Sequence, residues 1–271
     1  MHFIMTPSYS AQTLLIEGSD AITFAQSQFS SNVTALPRGR WQFSAWLDAQ
    51  GGVRALFHLA RIDESRLLLL LRGGDATRLA AELRRFVLRA KVELTAASGS
   101  TLSSGQAMPM FEVRHEHDTL RLGCGEYTFI CGDNTSDDES WQEHQMHDGW
   151  AWLPESICGR LLPPALSLYR LSAVALDKGC YPGQEIVSRL HYRGGHKRHL
   201  HRVTLSQPTH QGTTLHIDGQ EAAWLLQTRV HESGIEALAV LPDGIAEQFR
   251  RDESIQIDEG AKIRIVTSWN D

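Results

Sequence analysis

The stretch Lys178-Gly-Cys-Tyr-Pro-Gly-Gln-Glu-Ile-Val-Ser-Arg189 crowds a thiol, two cations, an acid, two glycines and a proline together. The glycines and the proline force a sharp turn between Gly179 and Gly183, and Cys180 rides on it. Pro182 suits the first position of a helix, and Ile186, Val187 and Leu190 recur at helical spacing after Gln184. A thiol placed just before a helix N-terminus, with Lys178 and Arg189 nearby, meets a partial positive charge. That charge favours thiolate over thiol and favours a bound anion. Such a thiol can be a nucleophile, a transient metal or cluster ligand, or a redox sensor, whereas a half-buried cysteine in a strand-to-helix connection has the same outline. One cysteine cannot hold a stable cluster by itself.

The residues from Lys178 to Glu185 resemble the K-G-C-Y-x-G-Q-E motif of the YgfZ family of folate-binding proteins, relatives of the glycine-cleavage aminomethyltransferase. The residues from Ser188 to Arg198 resemble that family's arginine and R-G-x-x-K-R continuation. Upstream, Gln26-Ser-Gln-Phe-Ser-Ser-Asn-Val33 stands where the family has Q-G-Q-x-T-N-D-V, with Ser30 for threonine, Ser31 for asparagine and Asn32 for aspartate. Hydrogen bonding survives there and a carboxylate is lost.

The resemblance implies an α+β fold: an aminomethyltransferase-like folate-binding region with mixed sheets and helices, then a small C-terminal antiparallel β-barrel. It implies tetrahydrofolate or a one-carbon derivative as ligand. It also implies support of iron-sulfur cluster assembly or repair, and through it tRNA modification such as methylthiolation. The partners implied are folate, iron-sulfur enzymes or assembly proteins, and a weak contact with tRNA. Residue by residue, Trp141, eight positions before Gly149, would stack on the folate. Lys178, Gly179, Tyr181, Gly183, Gln184, Glu185 and Arg189 would line the same cavity and present Cys180, with Ser30 and Asn32 contributed from upstream.

The aminomethyltransferase relatives place paired aspartates shortly after a glycine pair, here Gly51-Gly52. This chain has Val53-Arg-Ala-Leu56 instead, with Ala55 or a neighbour at the aspartate position. The group that would handle a proton or stabilise charge during transfer is missing. A folate-binding accessory protein is therefore expected, with a folate-dependent aminomethyltransferase or demethylase as the enzyme alternative. An RNA-binding module using the basic strip 189–202 is a third reading. A cysteine hydrolase is disfavoured, because no histidine and carboxylate partners can be placed near Cys180.

With 271 residues and 42% hydrophobic content, the chain can bury one or two cores and a small satellite. The expected division is a folate-binding α+β region at 1–195 and a barrel at 196–271. Formal net charge is −6, yet residues 178–202 carry +5 and the remainder −11. A basic strip on an acidic body can face a folate glutamate tail, RNA, or only solvent. No apolar run approaches a membrane span and no leader pattern opens the chain, so a cytoplasmic protein without a membrane partner is expected. Cys124, Cys131, Cys158 and Cys180 are spaced irregularly, as suits a reducing compartment. His191, His196, His199 and His201 are interleaved with glycines and arginines and lack an acid or cysteine to complete a metal site, so no metal is expected.

The positioning elements read as follows. Strands are expected at 12–17, 41–47, 53–62, 66–71 and 92–94, with a hairpin loop at 48–52. Ser19 or Asp20 can cap a helix with Ile22, Ala25 and Phe29 on one face, and Asp75 a helix with Leu79, Leu83, Phe86 and Val87. Residues 96–106 read as a loop, 111–114, 120–122 and 127–131 as short strands, and 133–140 as an acidic connection. Leu168, Leu171 and Ala175 suggest a helix over 165–175 feeding the motif. From about Gly195 onward, short strands alternate with turns, including one at 232–234.

Overall fold

Five leucines in a row at 67–71 have no polar face to offer water, so the strand that carries them must be covered on both sides. The computed structural model describes residues 9–133, 138–231, 234–250, 254–257 and 260–269. In it β1 (Gln12–Glu17), α1 (Ala21–Gln28), β2 (Arg40–Leu47), β3 (Val53–Arg61), β4 (Arg66–Leu71), α2 (Ala76–Arg84) and β5 (Glu93–Ser98) form the first layer. The strands make an antiparallel sheet in the order β2-β3-β4-β1-β5. Leu67, Leu69 and Leu71 pack with Phe24 and Leu79 of the two helices, while Leu68 and Leu70 join Trp41 and Phe43 on the opposite face. Asp75 caps α2 as its sequence indicates, its carboxylate accepting the Arg78 N–H at 2.6 Å.

The Trp41 face is covered by a second antiparallel sheet and a helix: β6 (Thr101–Gly105), β7 (Val113–Glu116), β8 (Thr119–Gly123), β9 (Thr128–Gly132) and α3 (Ser140–His147). Their strand order is β6-β9-β8-β7. After an irregular segment comes α4 (Gln184–Arg193). A six-stranded antiparallel sheet follows, curled into a near-closed barrel: β10 (Arg198–Leu205), β11 (Thr214–Ile217), β12 (Gln220–His231), β13 (Gly234–Pro242), β14 (Ile255–Gln256) and β15 (Lys262–Trp269). A short α5 (Asp243–Ala246) follows β13. Val203, Leu225, Ala239 and Leu241 fill the barrel, whereas Trp224, Leu226, Leu238 and Val240 join the core of the first two sheets.

The fold is α+β, and several local expectations are corrected. Residues 96–106 hold the end of β5 and all of β6. Backbone pairing of β6 with β9 orders the polar Ser103 and Ser104, which carry no apolar alternation to signal a strand. No helix spans 165–175: a 3-10 turn over Pro163–Leu166 gives way to Ser167 and Ser172, both at φ +53. Phe86 lies beyond the end of α2 and is 47% exposed. Pro182 precedes the helix cap, which is Gly183. The acidic connection at 133–140 and the turn at 232–234 fall partly outside the described residues. Among the described residues, no helix is long and apolar enough to cross a membrane.

Candidate functional site

The motif is held in place chiefly by backbone carbonyls. Lys178 Nζ donates to the carbonyl oxygens of Phe29 at 2.6 Å and Ser31 at 2.8 Å, and lies 5.0 Å from the Tyr181 ring centroid. Burial without a carboxylate partner pulls its pKa down to about 8. Ser30, fully buried, donates to the Ala173 carbonyl at 2.6 Å and accepts from the Ala45 N–H at 3.0 Å. Its carbonyl accepts the Ala175 N–H at 2.8 Å. Tyr181 is buried, donates to the Ala175 carbonyl at 3.2 Å, and has its pKa raised first by burial and then by Tyr169. Gln184 Nε2 returns to the Lys178 carbonyl at 3.2 Å. These bonds clamp three segments, 29–32, 173–184 and the start of α4, against β2.

What they clamp is one wall of a cleft of roughly 1020 Å³. Its other walls are the loop before β2 (Asn32, Leu36), β2 itself (Arg40, Trp41, Gln42, Phe43), Met110 and Phe111, Trp150, and the irregular segment from Tyr169 to Asp177, with His191 of α4 at the edge. Gln42 Nε2 donates to Ser31 Oγ at 2.7 Å, which fixes the polar corner beside Asn32.

The aromatic floor rests on a buried cation. Arg72, with no exposed surface, donates through Nε to the Ala151 carbonyl at 3.1 Å, through one terminal nitrogen to Gln145 Oε1 at 2.6 Å, and through the other to the Trp150 carbonyl. Its guanidinium lies 4.9 Å from the Trp152 ring. Burial pulls its pKa down to about 9. Burial, then the Arg72 charge, holds His58 neutral, and His58 packs against Trp41, Phe43 and Trp150. Rigid, neutral ring walls of this kind suit a planar heteroaromatic ligand.

Of the folate-site residues expected from the sequence, Asn32 alone lines this cleft; His191, discounted as a metal ligand, stands at its edge. Lys178, Tyr181, Gln184 and Ser30 support its wall; Gly183 caps α4; Gly179, Cys180, Glu185 and Arg189 are exposed elsewhere. Trp141 lies apart from this cleft: it is 1% exposed, packed among Tyr9, Phe129 and Trp152, and not among the lining residues. The indoles beneath the cleft are Trp41 and Trp150, missed because five separate segments build it. The alternation of Trp41 and Phe43 along β2 was the available signal. Of the histidines, His199 Nε2 faces Asp243 at 3.3 Å and His201 Nδ1 pairs with Ser268 Oγ at 2.8 Å. Among the described residues no three potential ligands are grouped for a metal ion.

No family model matches the chain. It is 23% identical to the tRNA-modifying protein YgfZ of Aliivibrio fischeri strain MJ11, over 88% of this chain and 85% of that one. It is 26% identical to the protein of the same name from Photobacterium profundum, over 86% and 82%. In three dimensions it superposes on the glycine cleavage system aminomethyltransferase T of Bartonella henselae with a TM-score of 0.69, at 16% identity, covering 97% of this chain and 86% of that one.

Proposed function

The chain belongs to the YgfZ family, on the aminomethyltransferase fold, and from that premise we propose that it binds tetrahydrofolate or a one-carbon derivative and acts in tRNA modification as an accessory protein. The observation that carries this reading is the aromatic cleft between β2 and the 169–177 segment. Its volume, roughly 1020 Å³, admits a ligand of folate size. Its lining supplies the partly exposed rings of Phe111 and Tyr169 for a pterin and the cations Arg40 and Arg170 for a glutamate tail. Folate itself would bring a carrier for one-carbon groups; this chain's residues would hold and orient it.

An accessory role is favoured over group transfer by the residues after the glycine pair. Ala55 is buried against Gly74, and Asp48, the nearest acid in the hairpin, accepts the Gln50 and Gly52 N–H groups at 3.0 and 2.8 Å. That carboxylate holds the turn. Support of iron-sulfur enzymes, with Cys180 as the exposed thiol, is the finer form of the same reading. A direct tRNA contact draws support from Tyr192, 76% exposed on α4 between the exposed Arg189 and Arg193. Binding there would weaken steeply with salt.

The test is calorimetric titration of 5-formyltetrahydrofolate into the wild type and into Ala35→Trp. Ala35 is exposed and lines the cleft, so the larger ring obstructs the ligand without removing a core contact. Saturable wild-type binding, weakened at least about tenfold in the variant, is expected. No wild-type binding, or equal binding by both, overturns the reading.

A further inference from the structure

We propose that Arg160 and Arg198, both packed on the indole of Trp224, form a clamp for phosphate groups of an RNA backbone. This rests on the reading of a direct tRNA contact and carries that contact from α4 to the seam between the barrel and the first two sheets. The Arg160 and Arg198 guanidiniums each lie 4.5 Å from the Trp224 ring, so they stand within twice that length of each other. Trp224 is itself fixed: it is 7% exposed, belongs to the core shared with the first two sheets, and donates through Nε1 to Glu221 Oε1 at 2.7 Å. The same carboxylate oxygen pairs with Arg198 Nη1 at 3.5 Å. One acid thus serves the indole and one arginine. Arg160 is exposed and has no ion-pair partner among the described residues.

Only Arg198 of these residues belongs to the basic strip visible in the sequence; Arg160 is brought to it by the fold. The Gly159 N–H donates to the Val53 carbonyl at 2.7 Å, and the Leu161 carbonyl accepts the Val53 N–H at 2.8 Å, which ties the segment to β3. A Cβ on Gly51 would meet both Ile186 of α4, at 3.3 Å, and Leu162, at 3.4 Å. The segment carrying Arg160 therefore adjoins the helix that carries the exposed Arg189, Tyr192 and Arg193. Packing on an indole occupies the flat face of a guanidinium and leaves its N–H edge for an anion, and two oxygens of a phosphate match that edge. The shared ring also fixes in advance where the two cations stand, so less ordering is needed on binding than for mobile surface arginines. The whole chain carries −6, so a polyanion is drawn to this local cluster and repelled by most of the remaining surface. A carboxylate fits the same edge of a guanidinium, and the test must separate the two anions.

The experiment follows the anisotropy of a fluorescent tRNA transcript between about 50 and 200 mM KCl. It compares wild type, Arg160→Gln, Glu221→Gln and Tyr192→Ala, with poly-L-glutamate as competitor and a thermal melt of each protein. Arg160 is exposed, so Arg160→Gln is expected to melt with the wild type. It should weaken binding about 3- to 10-fold and lower the slope of log affinity against log salt by about 1, a change that a residue packing the seam would not cause. Glu221→Gln releases Arg198 from its acid and should strengthen binding, and poly-L-glutamate at equal charge should not displace the RNA. Displacement by poly-L-glutamate would mean that the site takes any polyanion. An unchanged slope in Arg160→Gln beside weakened binding in Tyr192→Ala would put the contact on α4 alone. Either result overturns the clamp while a tRNA contact stands; absence of tRNA binding by the wild type overturns both.

Discussion

A Cβ on Gly183 would stand 2.5 Å from the carbonyl oxygen of Asp48. The first turn of α4 therefore sits directly on the β2–β3 turn, and Gly183 is also at φ +78, where a side chain is strained. Gly183→Ala is expected to cost about 3 kcal/mol, combining left-handed strain with displacement of the hairpin. Gly179, with nothing within 4 Å of its would-be Cβ, is the control: Gly179→Ala should stay within about 0.5 kcal/mol of wild type. Urea unfolding of both variants checks this, and equal losses would contradict the contact.

The same contrast shows what could be read from the chain before its structure. The turn, α4 and the strands of the first sheet are local: glycine, proline and alternation mark them wherever they occur. The role of the motif was less legible, because Lys178, Tyr181 and Gln184 spend their polar atoms on carbonyls at 29, 31, 175 and 178. The segment 165–175 has helical spacing, yet Ser167 Oγ donates to the Trp269 carbonyl, 102 positions away. A long-range bond of that kind overrides local propensity and leaves no mark in the neighbouring sequence. For the same reason nothing local distinguished Trp150 at the cleft from Trp141 in the core.

Lys178 should leave a signature at alkaline pH. Its folded pKa, about 8, lies below the ordinary 10.5. Between those values the unfolded chain binds the extra proton, so stability attributable to this group rises with pH across that window. Other groups titrate there too, including Arg72. The difference between wild type and Lys178→Met isolates the lysine: the variant should lack this rise, and parallel stability curves from pH 7.5 to 10.5 would refute it.

Acid should act through the barrel. His201 is 3% exposed, and burial, followed by the charge of His199 and partly offset by Asp243, brings its pKa to about 4 from 6.5. Here too the unfolded state takes the proton first. Stability is full above 6.5 and falls as pH drops towards 4, by about 3 kcal/mol from this residue. His201→Gln should flatten that fall relative to wild type in urea midpoints taken at pH 7 and 4.5. His58 and His196 shift in the same direction and keep part of the slope in both proteins.

The two aromatic environments separate stability from binding. Trp141→Phe is expected to cost about 2 kcal/mol through lost core packing while leaving folate affinity within about twofold. Phe111, 39% exposed and lining the cleft, should behave inversely: Phe111→Ala weakens folate about tenfold with little change in melting. Calorimetry beside a thermal melt checks both, and a Trp141→Phe protein that is stable but fails to bind would return that indole to the ligand site.

Cys180 is the remaining chemical question. Burial pushes the thiols of Cys124 and Cys131 up to about 12, and Cys158 is shifted upward as well. Those three are poor nucleophiles at neutral pH, whereas Cys180 is exposed on the turn ahead of α4. Iodoacetamide should therefore label the native protein at Cys180 first, and peptide mapping identifies the site. Cys180→Ala removes an exposed side chain and should change stability by no more than about 0.5 kcal/mol. If the thiol serves the iron-sulfur step of tRNA modification, the variant will bind folate like wild type yet fail to restore methylthiolated tRNA in cells lacking the protein. Full restoration by Cys180→Ala would reduce Cys180 to a residue of the turn.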